Sequence, residues 1–270
     1  MTTGKVELGG VQSTMLVTLY LRALDSREKE PILGDRAAAE AVDRIDYNFG
    51  KLKWTAGNRF LVAVRARQFD EWAGDFLRRH PDATVVQLGC GLDSRPLRLA
   101  LPEGVRWFDV DFPDVIDLRR KLYEETDRYR MLPSSVTDPD WLTEIPAENP
   151  VLIIAEGVLM YLDEPDIRLL LQRITDRFPA GELLFDGVSA GMTRFLQRIP
   201  SRLTSYPAYS TAIEDGRVVE QWNPRLTHAD TAAIVPQYPR IPHPAYRTLY
   251  RLLTRIPALR DWIRVFRFTF

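Results

Sequence analysis

The chain has 270 residues, of which 45% are hydrophobic and 27% charged, an ordinary globular composition that excludes disordered, collagen-like and fibrous classes. Lys and Arg total 36 against 37 Asp and Glu, for a net charge of -1, so no excess of positive charge points to nucleic acid or an anionic membrane surface. A single Cys excludes a disulfide framework and a cysteine-based zinc site. The opening MTTGKVELGG lacks the basic and apolar segments of a secretory signal, and no apolar run approaches the roughly 20 residues that span a bilayer. The expectation is a cytoplasmic protein with no membrane or nucleic-acid partner.

In chain order, the pattern from Ser13 to Asp25 predicts a helix, with Ser13 or Thr14 able to cap it. A second helix is expected over Arg36 to Ile45, and a long third one from about Trp54 to Arg79, ending before Pro81. The periodicity then changes. Short β-prone runs are expected as strands at Thr84–Leu88, Val105–Val110, Arg128–Leu132, Val151–Ala155 and Glu182–Val188, with helices at Asp114–Glu125 and Glu164–Phe178. The continuous apolar run at 151–155 suits a central parallel strand. Strand–helix–strand alternation with short links predicts an α/β fold with a doubly wound, mostly parallel sheet. After Val188 the texture shifts, and eight of the 19 prolines fall between Pro200 and Pro257. Proline interrupts both helix and sheet ladders, so a lid followed by returning edge strands is expected, the last at Ile263–Phe270. The expected organisation is an N-terminal helical cap (1–80), a doubly wound α/β core (81–190), a lid or substrate insertion (191–245) and a returning edge strand (246–270).

The sharpest motif is Leu88-Gly89-Cys90-Gly91-Leu92-Asp93-Ser94-Arg95, which follows the first strand and opens a helix. Glycines there permit a tight turn and close approach of a ligand to the main chain. An acidic pair follows at Asp109 and Asp111, about 20 residues on, where a carboxylate can accept the hydroxyls of a ribose. The dinucleotide fingerprint would need a third glycine at position 94, where Ser94 stands. With Asp93 beside it, the loop disfavours a pyrophosphate and favours a phosphate-free adenosine cofactor such as S-adenosylmethionine. The alternatives are an NAD-dependent oxidoreductase, which would have to bind pyrophosphate at this loop, and a cofactor-binding module without turnover.

Leu61, Arg65, Phe69, Trp72 and Phe76 share one face of the third helix. Arg65 interrupts this apolar stripe, so its charge needs a partner: the carboxylate of a bound cofactor or an internal acid. Glu156 ends the buried run 151–155, at the carboxyl edge where open α/β sheets bind ligands. It suits a cofactor ammonium, the wall of an acceptor pocket, or a purely structural role.

These segments resemble the leucine carboxyl methyltransferase family, and within it the bacterial polyketide O-methyltransferases of the tetracenomycin type. The likeness rests on Leu19–Leu24, Val64–Asp70, Leu88–Arg95, Phe108–Pro113, Ser134–Leu142 and Ala155–Leu162. It implies a class I S-adenosylmethionine-dependent methyltransferase with a seven-stranded sheet, N-terminal helices and a C-terminal lid insertion. By this resemblance Arg65 falls on the carboxylate-binding arginine, and Arg22 near an N-terminal basic position. Gly89, Cys90 and Gly91 fall on the cofactor loop, and Asp111 on the ribose-binding acid. Ser135 and Val136 stand where an Asp-Leu pair flanks the adenine, and Glu156 falls on the acid after the fourth strand.

Methyl transfer from a sulfonium is an in-line displacement that asks mainly for alignment and exclusion of water. A carboxylate acceptor is already ionised at neutral pH, whereas a phenol, with a pKa of about 10, benefits from a base. The candidate bases are Tyr161, Tyr206, Tyr209, His228 and His243. The expected reaction is methylation of a small-molecule, polyketide-like carboxylate to a methyl ester, with a phenolic acceptor as the alternative. No metal is expected, and the assembly is expected to be a monomer or homodimer.

Overall fold

The computed structural model describes residues 13–198 and 209–270. The N-terminal third is helical: α1 (Ser13–Ser26), α2 (Arg36–Arg44), a 3-10 stretch (Phe49–Asn58) and α3 (Arg59–Arg79). Asp35 caps α2, its side chain accepting from the Ala38 amide. The α-helix expected from Trp54 begins at Arg59 instead. The Thr55 hydroxyl bonds the Leu52 carbonyl, and Gly57 and Asn58 favour helix poorly, so the approach to α3 stays 3-10.

The core follows as β1 (Thr84–Leu88), α4 (Arg95–Arg98), β2 (Arg106–Asp111), α5 (Pro113–Arg120), β3 (Tyr129–Pro133), β4 (Val151–Ala155), α6 (Glu164–Arg177) and β5 (Gly181–Val188). The C-terminal part adds α7 (Ala190–Gln197), α8 (Gly216–Trp222), β6 (Thr227–Ala233), α9 (Pro244–Leu253), α10 (Pro257–Arg260) and β7 (Ile263–Thr269). Helix α5 stops short of the expected Glu125, because Arg44 of α2 donates to the carbonyls of Lys121 and Leu122 and closes the helix end.

The seven strands form one sheet in the order β3-β2-β1-β4-β5-β7-β6. All neighbours through β5 are parallel, and β7 runs antiparallel to β5 and β6. Every residue of β1 and β4 is buried, as their position in the middle of a sheet covered on both faces demands. One large apolar cluster joins α1, α3 and the sheet on one face, and a second joins α6 and the sheet on the other. On the second face Phe185 of β5 stacks on Phe266 and Phe268 of β7. Strand β6 falls within residues 191–245, expected as a lid, and forms the sheet's edge; its residues are mostly exposed, so they lack the apolar run that marks an inner strand.

Strand order reverses between β1 and β4. The crevice beyond their carboxyl ends is the place where a doubly wound sheet takes its ligand, and α1 and α3 roof it.

Candidate active site

Two cavities of about 330 and 290 Å³ open beyond β1 and β4, sharing Thr14, Met15, Gly89, Gly91, Gly157 and Tyr161. They form the two halves of one cleft. The first half has apolar walls from Phe112, Val115, Val136, Val158 and Leu162, with Asp111 and Ser135 at its polar side. The second runs past Arg22, Arg65, Gln87, Asp93 and Glu156 to Asn58, Leu61, Val62, Tyr209 and Trp262.

The floor is the loop after β1. Gly89 and Gly91 hold φ of +57° and +50°, conformations that side chains rarely adopt. A Cβ on Gly89 would lie 2.5 Å from Val158 Cγ2, so the turn needs glycine for both reasons. The Gly91 amide donates to Asp111 Oδ2 at 2.7 Å, and the Phe112 amide to Oδ1 at 2.8 Å. Burial raises the Asp111 carboxyl pKa, while these two amides oppose the shift. The partner acid Asp109, two residues earlier on the same strand, is fully buried in an ion pair with Arg119. Cys90 is buried, and burial pushes its thiol up.

The second half of the cleft rests on a buried ionic cluster. Glu156, at the end of β4, meets Arg22 at 3.1 Å, Arg65 at 3.1 Å, and Arg95. Arg65 also pairs with Asp186 of β5 at 2.7 Å. Asp93 binds Arg22, Arg95 and Arg98, and Asp70 binds Arg95 and Arg98. Asp35 completes the set through Arg98. The four guanidiniums and five carboxylates leave one negative charge in excess. Burial alone would raise the Glu156 carboxyl, but Arg22, Arg65 and Arg95 hold it at about 2. Asp93 is likewise held well below the usual range, burial being overcome by Arg22, Arg95 and Arg98. Asp186 moves the other way: burial raises it, and Arg65 with the Gly157 amide only partly compensates. Arg65 is held above its ordinary value, since Asp186 and Glu156 outweigh the cost of burial.

Of the residues expected in the site, Arg22, Arg65, Gly89, Cys90, Gly91, Asp111, Ser135, Val136, Glu156, Tyr161 and Tyr209 all line the cleft. The Tyr209 segment is held there by Ser210 and Thr211 amides on the Met160 carbonyl, which sets the Tyr161 and Tyr209 rings 5.4 Å apart. Two histidines are elsewhere. His228 lies on the edge strand β6, its ring against Phe268 and hydrogen-bonded to Thr231, because the sheet order carries β6 away from the β1–β4 crevice. His243 is exposed ahead of α9, edge-on to Tyr246. Tyr206 lies outside the described residues. Sequence reasoning missed Asp186, Asp70, Arg95 and Arg98. The signal for Asp186 was an acid inside the apolar strand Leu183-Leu184-Phe185-Asp186.

The cleft matches S-adenosylmethionine in its unmet polar groups and its charge. Arg22 Nε and Gln87 Oε1 are buried without a hydrogen-bond partner among the described residues, and both side chains line the second half of the cleft. One supplies a donor for a carboxylate, the other an acceptor for an ammonium. The cluster's excess negative charge complements a ligand with sulfonium and ammonium cations but one carboxylate.

Comparison with known proteins agrees. The Leucine carboxyl methyltransferase family matches residues 15–175. The chain is 40% identical over 266 residues, 98% of each chain, to the tetracenomycin polyketide synthesis O-methyltransferase TcmP of Streptomyces glaucescens. It is 34% identical to an S-adenosyl-L-methionine-dependent methyltransferase of Gibberella zeae, over 97% of this chain and 93% of that one. The fold matches a proposed methyltransferase from Thermobifida fusca with a TM-score of 0.57 at 15% identity, covering 92% and 93% of the two chains. It also matches magnesium protoporphyrin IX methyltransferase from Synechocystis with S-adenosylhomocysteine bound, at TM-score 0.51 and 11% identity over 87% and 94%. These relatives set aside the oxidoreductase and non-catalytic alternatives. The chain belongs to the leucine carboxyl methyltransferase family and is an S-adenosylmethionine-dependent methyltransferase.

Proposed function

We propose that the chain methylates a carboxylate of a flat, polyketide-like small molecule, giving a methyl ester. The observation that carries this reading is that Asp93, Glu156 and Asp111 of the cleft are each committed to guanidiniums or backbone amides. A carboxylate held at about 2, as Glu156 is, is a poor proton acceptor at neutral pH. An acceptor that arrives ionised needs none. The cofactor, when bound, supplies an electrophilic methyl group on sulfur. The chain's own contribution is to bind, align and exclude water.

In this reading Asp111 takes the ribose hydroxyls, and Phe112, Ser135 and Val136 flank the adenine. Gly89, Cys90 and Gly91 let the main chain approach the cofactor. Arg65 and Arg22 hold its carboxylate, and Glu156 with Gln87 its ammonium. Tyr161, Tyr209 and Trp262 wall the outer part of the cleft and suit a planar acceptor. The polyketide O-methyltransferase among the relatives supports the acceptor class. A phenolic acceptor is the second reading, favoured by Tyr161 and Tyr209, which line the cleft beside Arg65 and could serve as base.

A probe carrying both groups decides between them. With methyl-labelled cofactor and 6-hydroxy-2-naphthoate, a methyl ester releases its label as methanol in mild alkali, whereas an aryl ether retains it. The rate should be nearly flat across about pH 6 to 8, since carboxyl pKa values lie near 4. Alkali-stable label would overturn the ester reading.

A further inference from the structure

Glycines at positions 89 and 91 allow the cofactor loop many conformations, so something must select one. On the amide side the selection is visible: Gly89 and Cys90 donate to the Val110 carbonyl, and Gly91 to Asp111. On the carbonyl side it comes from α5 and the turn that follows. Arg119 Nη1 donates to the Gly91 carbonyl at 3.0 Å, and Nη2 to the Asp93 carbonyl at 2.6 Å. The Tyr123 hydroxyl donates to the Leu92 carbonyl between them at 3.2 Å. Three consecutive loop carbonyls therefore meet two donor side chains four residues apart, Arg119 in α5 and Tyr123 in the turn after it.

Arg119 is fully buried, and its aim is fixed from behind. Its Nε donates to Asp109 Oδ2 at 2.8 Å and to the Tyr129 hydroxyl at 3.1 Å. Asp109 in turn accepts from Tyr129 at 2.6 Å and from Trp107 Nε1 at 2.9 Å. The geometry points to Arg119 as a positioning residue for the cofactor, one that acts from outside the cleft by clasping the loop's carbonyls, with Asp109, Tyr129 and Tyr123 as its supports. Only a rigid, multi-donor fork reaches two carbonyls and an acid at once, so lysine would not replace it. This gives Asp109 a task distinct from that of Asp111: it aims the clasp. The loop is thereby ordered before the ligand arrives, and the ligand need not supply that ordering. The inference rests on assigning the loop 89–93 to the cofactor.

The test uses the full chain and S-adenosylhomocysteine, with affinity by calorimetry and amide hydrogen exchange across 89–93. The double variant Arg119→Met with Asp109→Asn removes both buried charges together and leaves an acceptor for Tyr129 and Trp107, so the fold survives where either single change would strand a charge. The expected result is about tenfold or weaker binding, the range for lost charge-assisted hydrogen bonds. Faster exchange should be confined to the loop, with the rest of the sheet protected as in the unaltered protein. Tyr123→Phe, which removes one neutral donor, should weaken binding about two- to fivefold and serves if the double variant does not fold. Unchanged affinity and exchange in whichever of these variants folds would overturn the clasp. Asp111→Ala separates the two levels: if it also binds normally, the loop assignment itself fails, and if it alone binds weakly, only the clasp fails.

Discussion

Replacing Glu156 by Gln probes the centre of the ionic cluster. Its carboxyl is shifted from 4.5 to about 2 in the fold, and at 1.36 kcal/mol per unit that is about 3 kcal/mol of stability at neutral pH. Breaking a buried pair typically costs about 3–5 kcal/mol, because a charge is stranded. Here the lower end applies, since Arg22 keeps Asp93, Arg65 keeps Asp186, and Arg95 keeps Asp70 and Asp93. For 270 residues, with an unfolding entropy of about 2.1 cal/mol/K per residue, the expected fall in Tm is about 5 °C. A carboxylate held below its unfolded value contributes fully above about pH 4.5 and loses that contribution as pH falls toward 2. The gap between the two proteins in urea denaturation should therefore shrink from about 3 kcal/mol at pH 7 to about 2 at pH 3.5. A gap under about 1 kcal/mol at pH 7, or one that ignores pH, would refute the placement of Glu156 as the cluster's shared anion.

Arg65→Lys keeps the charge but loses the fork, and should raise the KM for S-adenosylmethionine about tenfold or more, measured at saturating acceptor. Gly89→Ala must place a Cβ 2.5 Å from Val158 Cγ2 at positive φ, and should abolish measurable S-adenosylhomocysteine binding by calorimetry before it abolishes folding by circular dichroism. His228→Ala and His243→Ala should each keep turnover within about tenfold in the labelled-methyl assay, short of the 10²–10⁴ typical of a lost base; a larger loss in either would return a histidine to the mechanism.

Much of the sheet was legible because its strands obey local rules. Val151–Ala155 is an unbroken apolar run, and Thr84–Leu88 ends at glycines, so both announce themselves. Strand β6 does not: Thr227–Ala233 is half polar and covered on one edge only, and its pairing with β7 is decided by tertiary contact. The cofactor loop and the acidic pair Asp109 and Asp111 were legible from spacing, and Arg65 from its intrusion into an apolar stripe. Who pairs with Arg65 was not, because Asp186 lies 121 residues away. The same limit hid the difference between Asp109 and Asp111. They stand two residues apart on one strand and so share a side of the sheet, and only the positions of Arg119 and Gly91 reveal which one is spent on a buried ion pair and which one meets the glycine loop at the strand end.

The cluster's long reach also bears on the order in which the molecule can be built. During synthesis Arg22 emerges 134 residues ahead of Glu156, and Arg65 121 residues ahead of Asp186. Until β4 and β5 are made, Arg65 lacks both of its counter-charges and Arg22 has only Asp93, so water is the best solvent for their free charge. The ionic contacts of these helices can therefore be completed only when the second half of the chain has supplied β4 and β5, and contacts of such separation form slowly. A nascent chain stopped before Asp186 carries the glycine loop but no finished cleft, so ligand binding reports completion of the whole chain through β5.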